Sequence, residues 1–306
     1  MSVYAVERIR QIMDSHIGQA VSALVVNTEA TERVESWLED GVSRETYRRE
    51  LAFMVLAGVI RDNVLVNNLV GNVKYPDWQR TLAKVAELRA AGKLPELEYP
   101  PSPDWVVPDM FASTYVMGQY AHGDRVRPSG VVLDCGACCG ETAVWAIGMG
   151  AERVFSFEPN PVAHEYLKRN ADKFGGGKIS PVQRGLGDAP ALMPMRQGTG
   201  SLGEACFDPN ATGETSIPIV TLDGWCRENR VRPDFVKMDL EGWEMAAIRG
   251  GRGIIAECRP RLAICLYHSL ADMWTIPHLL KEICPSYHFW CRKNAPNTEF
   301  VLYAAC

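Results

Sequence analysis

Three side chains in the C-terminal third of the sequence have the chemistry of a proton-transfer site. Asp239 ends an apolar run that starts at Phe235, Glu241 lies two residues later, and His268 ends the next apolar run. A carboxylate can orient a hydroxyl, bind a divalent metal or cap a helix. An imidazole titrates near neutral pH and can act as a general base. We predict Asp239, Glu241 and His268 as catalytic residues; helix capping and a purely structural histidine are the alternatives.

A glycine-rich turn, residues 134–142 with the sequence DCGACCGET, follows the apolar run 131–135. Such turns bind ligands beyond the carboxyl ends of parallel strands. The spacing is not the G-x-G-x-x-G of a dinucleotide site, because Ala137 and Cys138 follow Gly136. S-adenosylmethionine has no phosphate, and its positive charge suits an acidic residue at a strand end. The predicted cofactor-binding residues of the turn are Asp134, Gly136, Ala137, Gly140, Glu141 and Thr142.

A second acidic residue, Glu158, ends the next apolar run and is followed by Pro159 and Asn160. It lies about twenty residues beyond the turn, the position at which an acidic side chain binds ribose hydroxyls. We predict that residues 158–160 and Asp239 also contact the cofactor. Leu186 and Asp188 follow a third apolar run, and we place them along the adenine.

The elements that must position these residues alternate between strands and helices. Strands are predicted over residues 131–135, 153–157, 178–184, 217–220, 235–239, 261–267, 287–292 and 299–304. Helices are predicted over residues 141–149, 161–173, 222–229, 243–249 and 274–283. This alternation predicts an α/β fold with a parallel, doubly wound sheet. The last two strands are too close for a crossover helix and should form an antiparallel hairpin, which gives the Rossmann-like sheet of class I methyltransferases.

The first part of the chain, residues 1–128, has a helical pattern and forms a region separate from residues 129–306. Apolar spacing predicts helices over residues 4–26, 31–38, 44–69 and 76–91, with Ser43 as an N-cap and Gly92 as a stop. The proline-rich segment 95–108 is predicted to be a non-helical connector. Residues 197–215 are rich in Gly, Ser, Thr and Asn, which is typical of an acceptor loop or a surface excursion.

The composition of the chain indicates which partners and which cellular compartment to expect. The chain has 306 residues and a formal net charge of −5 without a strong basic run, which argues against nucleic acid. No apolar stretch is long enough to span a membrane, and the first residues lack the features of a signal peptide. We therefore expect a cytoplasmic protein with reduced thiols. Cys135 and Cys138 form a C-x-x-C for which we predict neither a disulfide nor a metal.

Four motifs in this order resemble the FkbM methyltransferases: DCGACCGET at 134–142, FEPNP at 157–161, VTLDGW at 220–225 and DFVKMDLEGWE at 234–244. The resemblance covers residues 131–303. It implies S-adenosylmethionine as cofactor and O-methylation of hydroxyls on sugars, polysaccharides, polyketides or other secondary metabolites. The acceptor would then be a small molecule or a glycan. The helical region before residue 129 has no matching motif, so we assign it to acceptor binding, a lid or a dimer contact.

Two other functions use the same fold. An NAD-dependent oxidoreductase shares the acidic residue after the second strand, although the broken glycine spacing and the terminal hairpin argue against it. A non-catalytic binding module could retain the cofactor residues without turnover. A divalent metal is compatible with Asp239 and Glu241, but no further pattern supports it, and we predict no metal ligands. The choice between O- and N-methylation, the acceptor and a homo-oligomeric state stay open.

Overall fold

The computed structural model describes residues 16–60, 66, 69–196, 206–207, 216–296 and 299–306. The first half of the helix predicted over 4–26, part of the helix predicted over 44–69, and nearly all of the segment 197–215 lie outside these residues. No helix in the described ranges is long and apolar enough to cross a bilayer.

Helices and strands follow one another through the described chain. The helices are α1 (His16–Val26), α2 (Thr28–Trp37), α3 (Gly41–Ile60), α4 (Tyr75–Ala90), α5 (Val106–Phe111), α6 (Glu141–Gly148), α7 (Pro161–Phe174), α8 (Leu222–Asn229), α9 (Glu244–Gly250), α10 (Arg252–Cys258) and α11 (Asp272–Ile283). A π-helical turn, Ala112–Val116, follows α5. The strands are β1 (Gly130–Cys135), β2 (Ala151–Phe157), β3 (Ile179–Val182), β4 (Gly185–Leu186), β5 (Ala191–Arg196), β6 (Cys206–Phe207), β7 (Ser216–Val220), β8 (Phe235–Met238), β9 (Arg261–Cys265), β10 (His288–Lys293) and β11 (Phe300–Ala305).

The main sheet has the strand order β10-β11-β9-β8-β1-β2-β3 within the described chain. Strands β9, β8, β1, β2 and β3 run parallel, whereas β11 is antiparallel to both β9 and β10. The predicted doubly wound α/β sheet with a terminal hairpin is therefore confirmed. Strands β8 and β9 are buried almost throughout because helices cover both faces of the sheet. The carboxyl ends of β1, β2, β8 and β9 consequently meet at one edge, where ligands bind in such sheets.

The helical region shares its core with the sheet. Val34, Leu38 and Tyr47 belong to the same buried cluster as the side chains of β8 and β9. Lys293 on β10 forms an ion pair of 2.7 Å with Glu50 on α3, and both side chains are 1% exposed. Helices α2 and α3 therefore pack against the same hydrophobic core as the strands.

Two local predictions in the helical region are wrong. Helix α3 begins at Gly41, and Asp40 Oδ1 accepts the backbone N–H of Ser43 at 2.6 Å, so Asp40 rather than Ser43 caps it. The Ser43 hydroxyl instead accepts the backbone N–H of Cys291 on β10. Pro108 lies inside α5, which the proline-rich pattern had excluded from helix. Because it is the third residue of that helix, the N–H that proline lacks would have had no intrahelical partner.

A second, smaller sheet has the order β4-β7-β5-β6. Only β7 was predicted as a separate strand. The strand predicted over 178–184 already ends at Val182. The residues that follow the predicted range, Gly185 and Leu186, form β4 and pair with β7. Strand β5 was missed because its alternation is interrupted by Pro194. Helix α10 was also missed; it begins directly after Gly251, which punctuates the sequence like a loop residue.

Candidate functional site

A cavity of about 310 Å³ opens at the carboxyl edge of the main sheet. Its floor comes from the ends of the strands and the turns that follow them. Its opposite wall comes from the helical region, through Trp78 on α4, Asp109 and Met110 on α5, and Tyr120. This volume is in the range of small-molecule sites. The helical region and the sheet therefore build the cavity together.

The glycine turn after β1 is held against the neighbouring strand. Gly136 has φ +83°, and a Cβ atom there would lie 1.8 Å from the carbonyl oxygen of Asp239. Its own carbonyl accepts a hydrogen bond of 2.6 Å from Nζ of Lys237. Glycine is thus required at position 136, because any side chain would displace the backbone after β8. Gly136 lines the cavity.

Lys237 and Asp134 form a buried ion pair beneath this turn. Nζ lies 3.5 Å from Oδ1 of Asp134, and the two side chains are 3% and 0% exposed. A lysine inside a buried strand requires a charged partner, and Asp134 provides it. Burial raises the pKa of Asp134, and Lys237 opposes this shift. Asp134 does not line the cavity; it positions Lys237, which in turn holds the turn at Gly136.

Glu158 lies at the end of β2 and fastens the turn from the other side. Its Oε2 accepts the N–H of Cys138 and its Oε1 accepts the N–H of Asn160, both at 2.8 Å. Burial raises the pKa of Glu158 to about 7, although these two N–H groups favour the ionised form. The carboxylate lines the cavity with lone pairs left to accept further hydrogen bonds.

The other residues predicted at the cofactor divide into two groups. Glu141, Pro159 and Leu186 line the cavity, and burial raises the pKa of Glu141 to about 8. The second group does not line the cavity. Ala137, Gly140 and Thr142 pack behind the turn. Asn160 Oδ1 caps α7 by accepting the N–H of Val162, and Asp188 is exposed to solvent.

Asp239 accepts hydrogen bonds from two tyrosines that come from different parts of the chain. The hydroxyl of Tyr120 donates to Oδ2 at 2.9 Å, and the hydroxyl of Tyr267 donates to Oδ1 at 3.0 Å. Burial would raise the pKa of Asp239, but Lys237, His268 and the tyrosines lower it. The aspartate is therefore ionised, and its orientation is fixed at the cavity wall.

His268 lies beside Asp239 and among further carboxylates. Its Nε2 is 3.5 Å from Asp239 Oδ1 and 3.7 Å from Glu241 Oε2, and its Nδ1 is 2.9 Å from Glu244 Oε1. Burial alone would lower its pKa, but these carboxylates outweigh burial and raise the pKa to about 9. The structure therefore brings the three predicted catalytic residues together, but His268 is a cation near neutral pH rather than the neutral base we expected.

Several residues of the site have no signal in the sequence. Tyr120 belongs to the last part of the helical region, between the π-helical turn and β1, where no motif marks it. Glu299 precedes β11 and lines the cavity, and burial raises its pKa to about 8. Tyr267 had the clearest signal, because it directly precedes His268 at the end of the same apolar run. Cys135 and Cys138 are free thiols, and Cys135 is buried.

The sequence matches one family model, the Methyltransferase FkbM domain, over residues 134–292. No curated protein matches it. A crystal structure of methyltransferase FkbM from Methylobacillus flagellatus KT has a TM-score of 0.59 at 22% identity. That match covers 92% of this chain but 60% of the Methylobacillus chain, so the present chain spans under two thirds of that protein.

Two more distant solved structures are also methyltransferases by name. A precorrin-6y C5,15-methyltransferase from Geobacter metallireducens GS-15 has a TM-score of 0.41 at 12% identity, covering 69% of this chain and all of that one. An O-methyltransferase from Bacillus cereus in complex with SAH has a TM-score of 0.35 at 13% identity, covering 79% and 96%.

The Methylobacillus structure shares the fold of this chain. The family model covers just over half of the present chain, including the glycine turn, Glu158, Asp239 and His268. This match favours a methyltransferase over the NAD-dependent oxidoreductase that the sequence left open. The chain belongs to the FkbM methyltransferase family.

Proposed function

We propose that this chain is an S-adenosylmethionine-dependent methyltransferase that methylates a hydroxyl group of a sugar, polysaccharide or secondary metabolite. The observation that carries the proposal is the position of Glu158 beside the Gly136 turn. Its carboxylate is fixed by two backbone N–H groups and still lines the cavity at the end of β2. This is the place at which an acidic side chain binds the two ribose hydroxyls of a nucleoside cofactor.

The rest of this half of the cavity suits the same cofactor. The turn at Gly136 lets a ligand approach the backbone closely, because no Cβ atom projects there. Phe157, Pro159 and Leu186 provide apolar surface beside Glu158 for a base. When bound, the cofactor would supply a methyl group on a sulfonium: the acceptor oxygen would bond to the methyl carbon, in line with the carbon–sulfur bond that breaks, and the thioether would leave. The protein must hold that oxygen in position and keep water out of the cavity.

The other half of the cavity suits an acceptor with hydroxyl groups. A hydroxyl must lose its proton as it attacks, and the cluster of Asp239, Glu241 and His268 offers carboxylates that can orient it and receive the proton. Trp105 and Trp243 also line this cavity, and Trp105 is 61% exposed. Flat aromatic rings next to hydrogen-bonding carboxylates fit an acceptor with both apolar and hydroxylated faces, such as a sugar.

Calorimetry with S-adenosylhomocysteine, the demethylated product, tests the cofactor. Glu158→Ala should weaken binding at least about tenfold, because each hydrogen bond to a charged group contributes about 1.5–3 kcal/mol. Glu165→Ala is the matched control, since Glu165 is a half-exposed glutamate on α7 that pairs with Arg169 and Lys168. Equal affinities for the wild type and a folded Glu158→Ala variant would refute the assignment. Transfer of a labelled methyl group to sugars and polyketide alcohols, compared with amines, then tests the acceptor class.

A further inference from the structure

Three side chains at the acceptor side of the cavity converge on one point. Asp239, Glu241 and His268 each offer one ligand atom, and these atoms all lie within 4.8 Å of one another. The carboxylates belong to the turn after β8 and the imidazole to the segment that follows β9, so two neighbouring strands position the group. Asp239 and Glu241 line the cavity, which leaves a path for a small ion from solvent.

The second observation is the state of Nε2 of His268. The side chain is 9% exposed, and no hydrogen-bond partner for Nε2 exists among the described residues. The nearest oxygens lie 3.5 Å away on Asp239 and 3.7 Å away on Glu241, which is too far for a direct hydrogen bond. Ligands about 2.1 Å from a shared cation lie about 3.0–3.5 Å apart. With these separations, and all three ligand atoms within 4.8 Å of one another, the group leaves space for an ion between the side chains.

The opposite ring nitrogen, Nδ1, lies at ion-pair distance from a buried carboxylate, without the geometry of a hydrogen bond. Nδ1 lies 2.9 Å from Oε1 of Glu244, whose side chain is 0% exposed. Glu244 is fixed in turn by the backbone N–H groups of Leu240 and Gly242, at 2.6 and 3.1 Å. A carboxylate on the far nitrogen of a ligating histidine orients the ring toward the metal. Here it directs Nε2 between Asp239 and Glu241.

We propose that Asp239, Glu241 and His268 bind a divalent cation of the Mg²⁺ or Mn²⁺ class at the acceptor side of the cavity. Two carboxylates and one neutral imidazole suit such ions, which prefer oxygen ligands and usually retain several waters; the cation would take the place of the proton on His268, which is released to solvent on binding. Because Asp239 and Glu241 line the cavity, a cation bound there would also be able to hold the oxygen of the acceptor hydroxyl and lower the pKa of that hydroxyl. The proposal of cation binding depends only on these three residues, whereas the role of the cation in activating the acceptor hydroxyl rests on the proposed methyl transfer.

A second group of potential ligands, Asp239, Cys265 and Glu299, shares one residue with this site. Cys265 is 0% exposed and lies within β9, so it is farther from solvent than the imidazole. A soft thiolate ligand would favour zinc or copper over Mg²⁺ or Mn²⁺. The Cys265→Ser variant separates the two groups, because only the second one would lose a ligand.

Direct Mn²⁺ binding to the full chain tests the proposal. Chelator-treated protein is titrated with MnCl₂, and free Mn²⁺ is followed by electron paramagnetic resonance without methyl donor or acceptor. We expect a single site that His268→Ala and Glu241→Gln each weaken at least about tenfold. Cys265→Ser and the surface control Glu257→Gln should bind as the wild type does. Thermal melts establish that each variant is folded, and Glu241→Gln, at a side chain 40% exposed, supports the test if His268→Ala does not fold.

Two results would overturn the cation site: no saturable Mn²⁺ binding by the wild type, or equal binding by the wild type and both ligand variants. Loss of binding in Cys265→Ser alone would assign the ion to the second group and would also refute the proposal. Because the assay contains no methyl donor, its outcome is independent of the proposed function. Methyl transfer that persists at full rate in excess chelator would leave the proposed function standing and would remove the role given to the cation.

Discussion

The hydroxyl of Tyr120 donates a hydrogen bond of 2.9 Å to the carboxylate of Asp239, although 119 residues separate them in the sequence. Tyr120 comes from the segment before β1, and Asp239 ends β8. This bond joins the helical region to the residue on which the acceptor half of the cavity depends. The helical region is therefore a structural part of the candidate site.

Removing this hydroxyl should affect both stability and turnover. Tyr120→Phe leaves Asp239 with one tyrosine donor, and we expect the free energy of unfolding to fall by about 1.5–3 kcal/mol, the usual contribution of a hydrogen bond to a charged group. Turnover should fall while affinity for the cofactor is retained. Tyr287→Phe is the matched control, because its buried hydroxyl donates to the carbonyl of Pro260. Urea unfolding and steady-state rates would contradict this if both variants lost stability but kept full turnover.

Cofactor affinity should depend on pH through Glu158. Burial raises its pKa to about 7, so the carboxylate loses its charge as the pH falls through neutrality. Ribose hydroxyls donate to the ionised form, and affinity should therefore fall by up to tenfold per pH unit below about pH 7. Calorimetry from about pH 6 to about pH 8 measures this. Glu158→Gln should bind weakly with a flatter profile, and the difference separates Glu158 from Glu141, which also lines the cavity.

The fold was predictable because its signals are local. The apolar strands β1, β2, β8 and β9, the glycine turn and the terminal hairpin each follow from a short stretch of sequence. The same stretches placed Glu158, Asp239 and His268 at one edge of the sheet, since the carboxyl ends of parallel strands meet there. The ion pair of Lys237 was also predictable, because a lysine inside a buried strand requires a partner.

The features of the site that the sequence did not predict depend on contacts between distant segments of the chain. Nothing near Tyr120 in the sequence indicates that its hydroxyl meets Asp239. The protonation of His268 likewise depends on Glu244, which is completely buried although it lies in the first turn of a short helix. An imidazole without known neighbours is expected to titrate near neutrality, whereas three carboxylates raise the pKa of His268 to about 9. Pro108 was excluded from helix because proline usually breaks helices, but it lies in the first turn of α5, where proline is tolerated. Ser43 was predicted as an N-cap, but α3 begins two residues earlier and Asp40 caps it.

Removing one partner of the buried ion pair between Lys293 and Glu50 should lower the free energy of unfolding more than replacing both partners with apolar residues. Both side chains are 1% exposed, so each charge depends on the other for compensation. Lys293→Met should lower the free energy of unfolding by about 3–5 kcal/mol. The double variant Lys293→Met, Glu50→Met should recover much of this loss, because no uncompensated charge remains. Urea denaturation of both variants measures the difference, and a double variant less stable than Lys293→Met would contradict the expectation.

The glycine turn gives the most direct test of how the cavity is shaped. Gly136→Ala would place a Cβ atom 1.8 Å from the carbonyl oxygen of Asp239, so the turn and the end of β8 must separate. Gly176→Ala is the matched control, because Gly176 also has a positive φ, +54°, but a Cβ atom there would have no neighbouring atom within 4 Å. The control should lose only about 1–2 kcal/mol for its left-handed backbone. Gly136→Ala should lose more, and its affinity for S-adenosylhomocysteine should fall as well. If urea unfolding and calorimetry gave the same results for both variants, close contact between the turn and Asp239 would not determine the shape of the site.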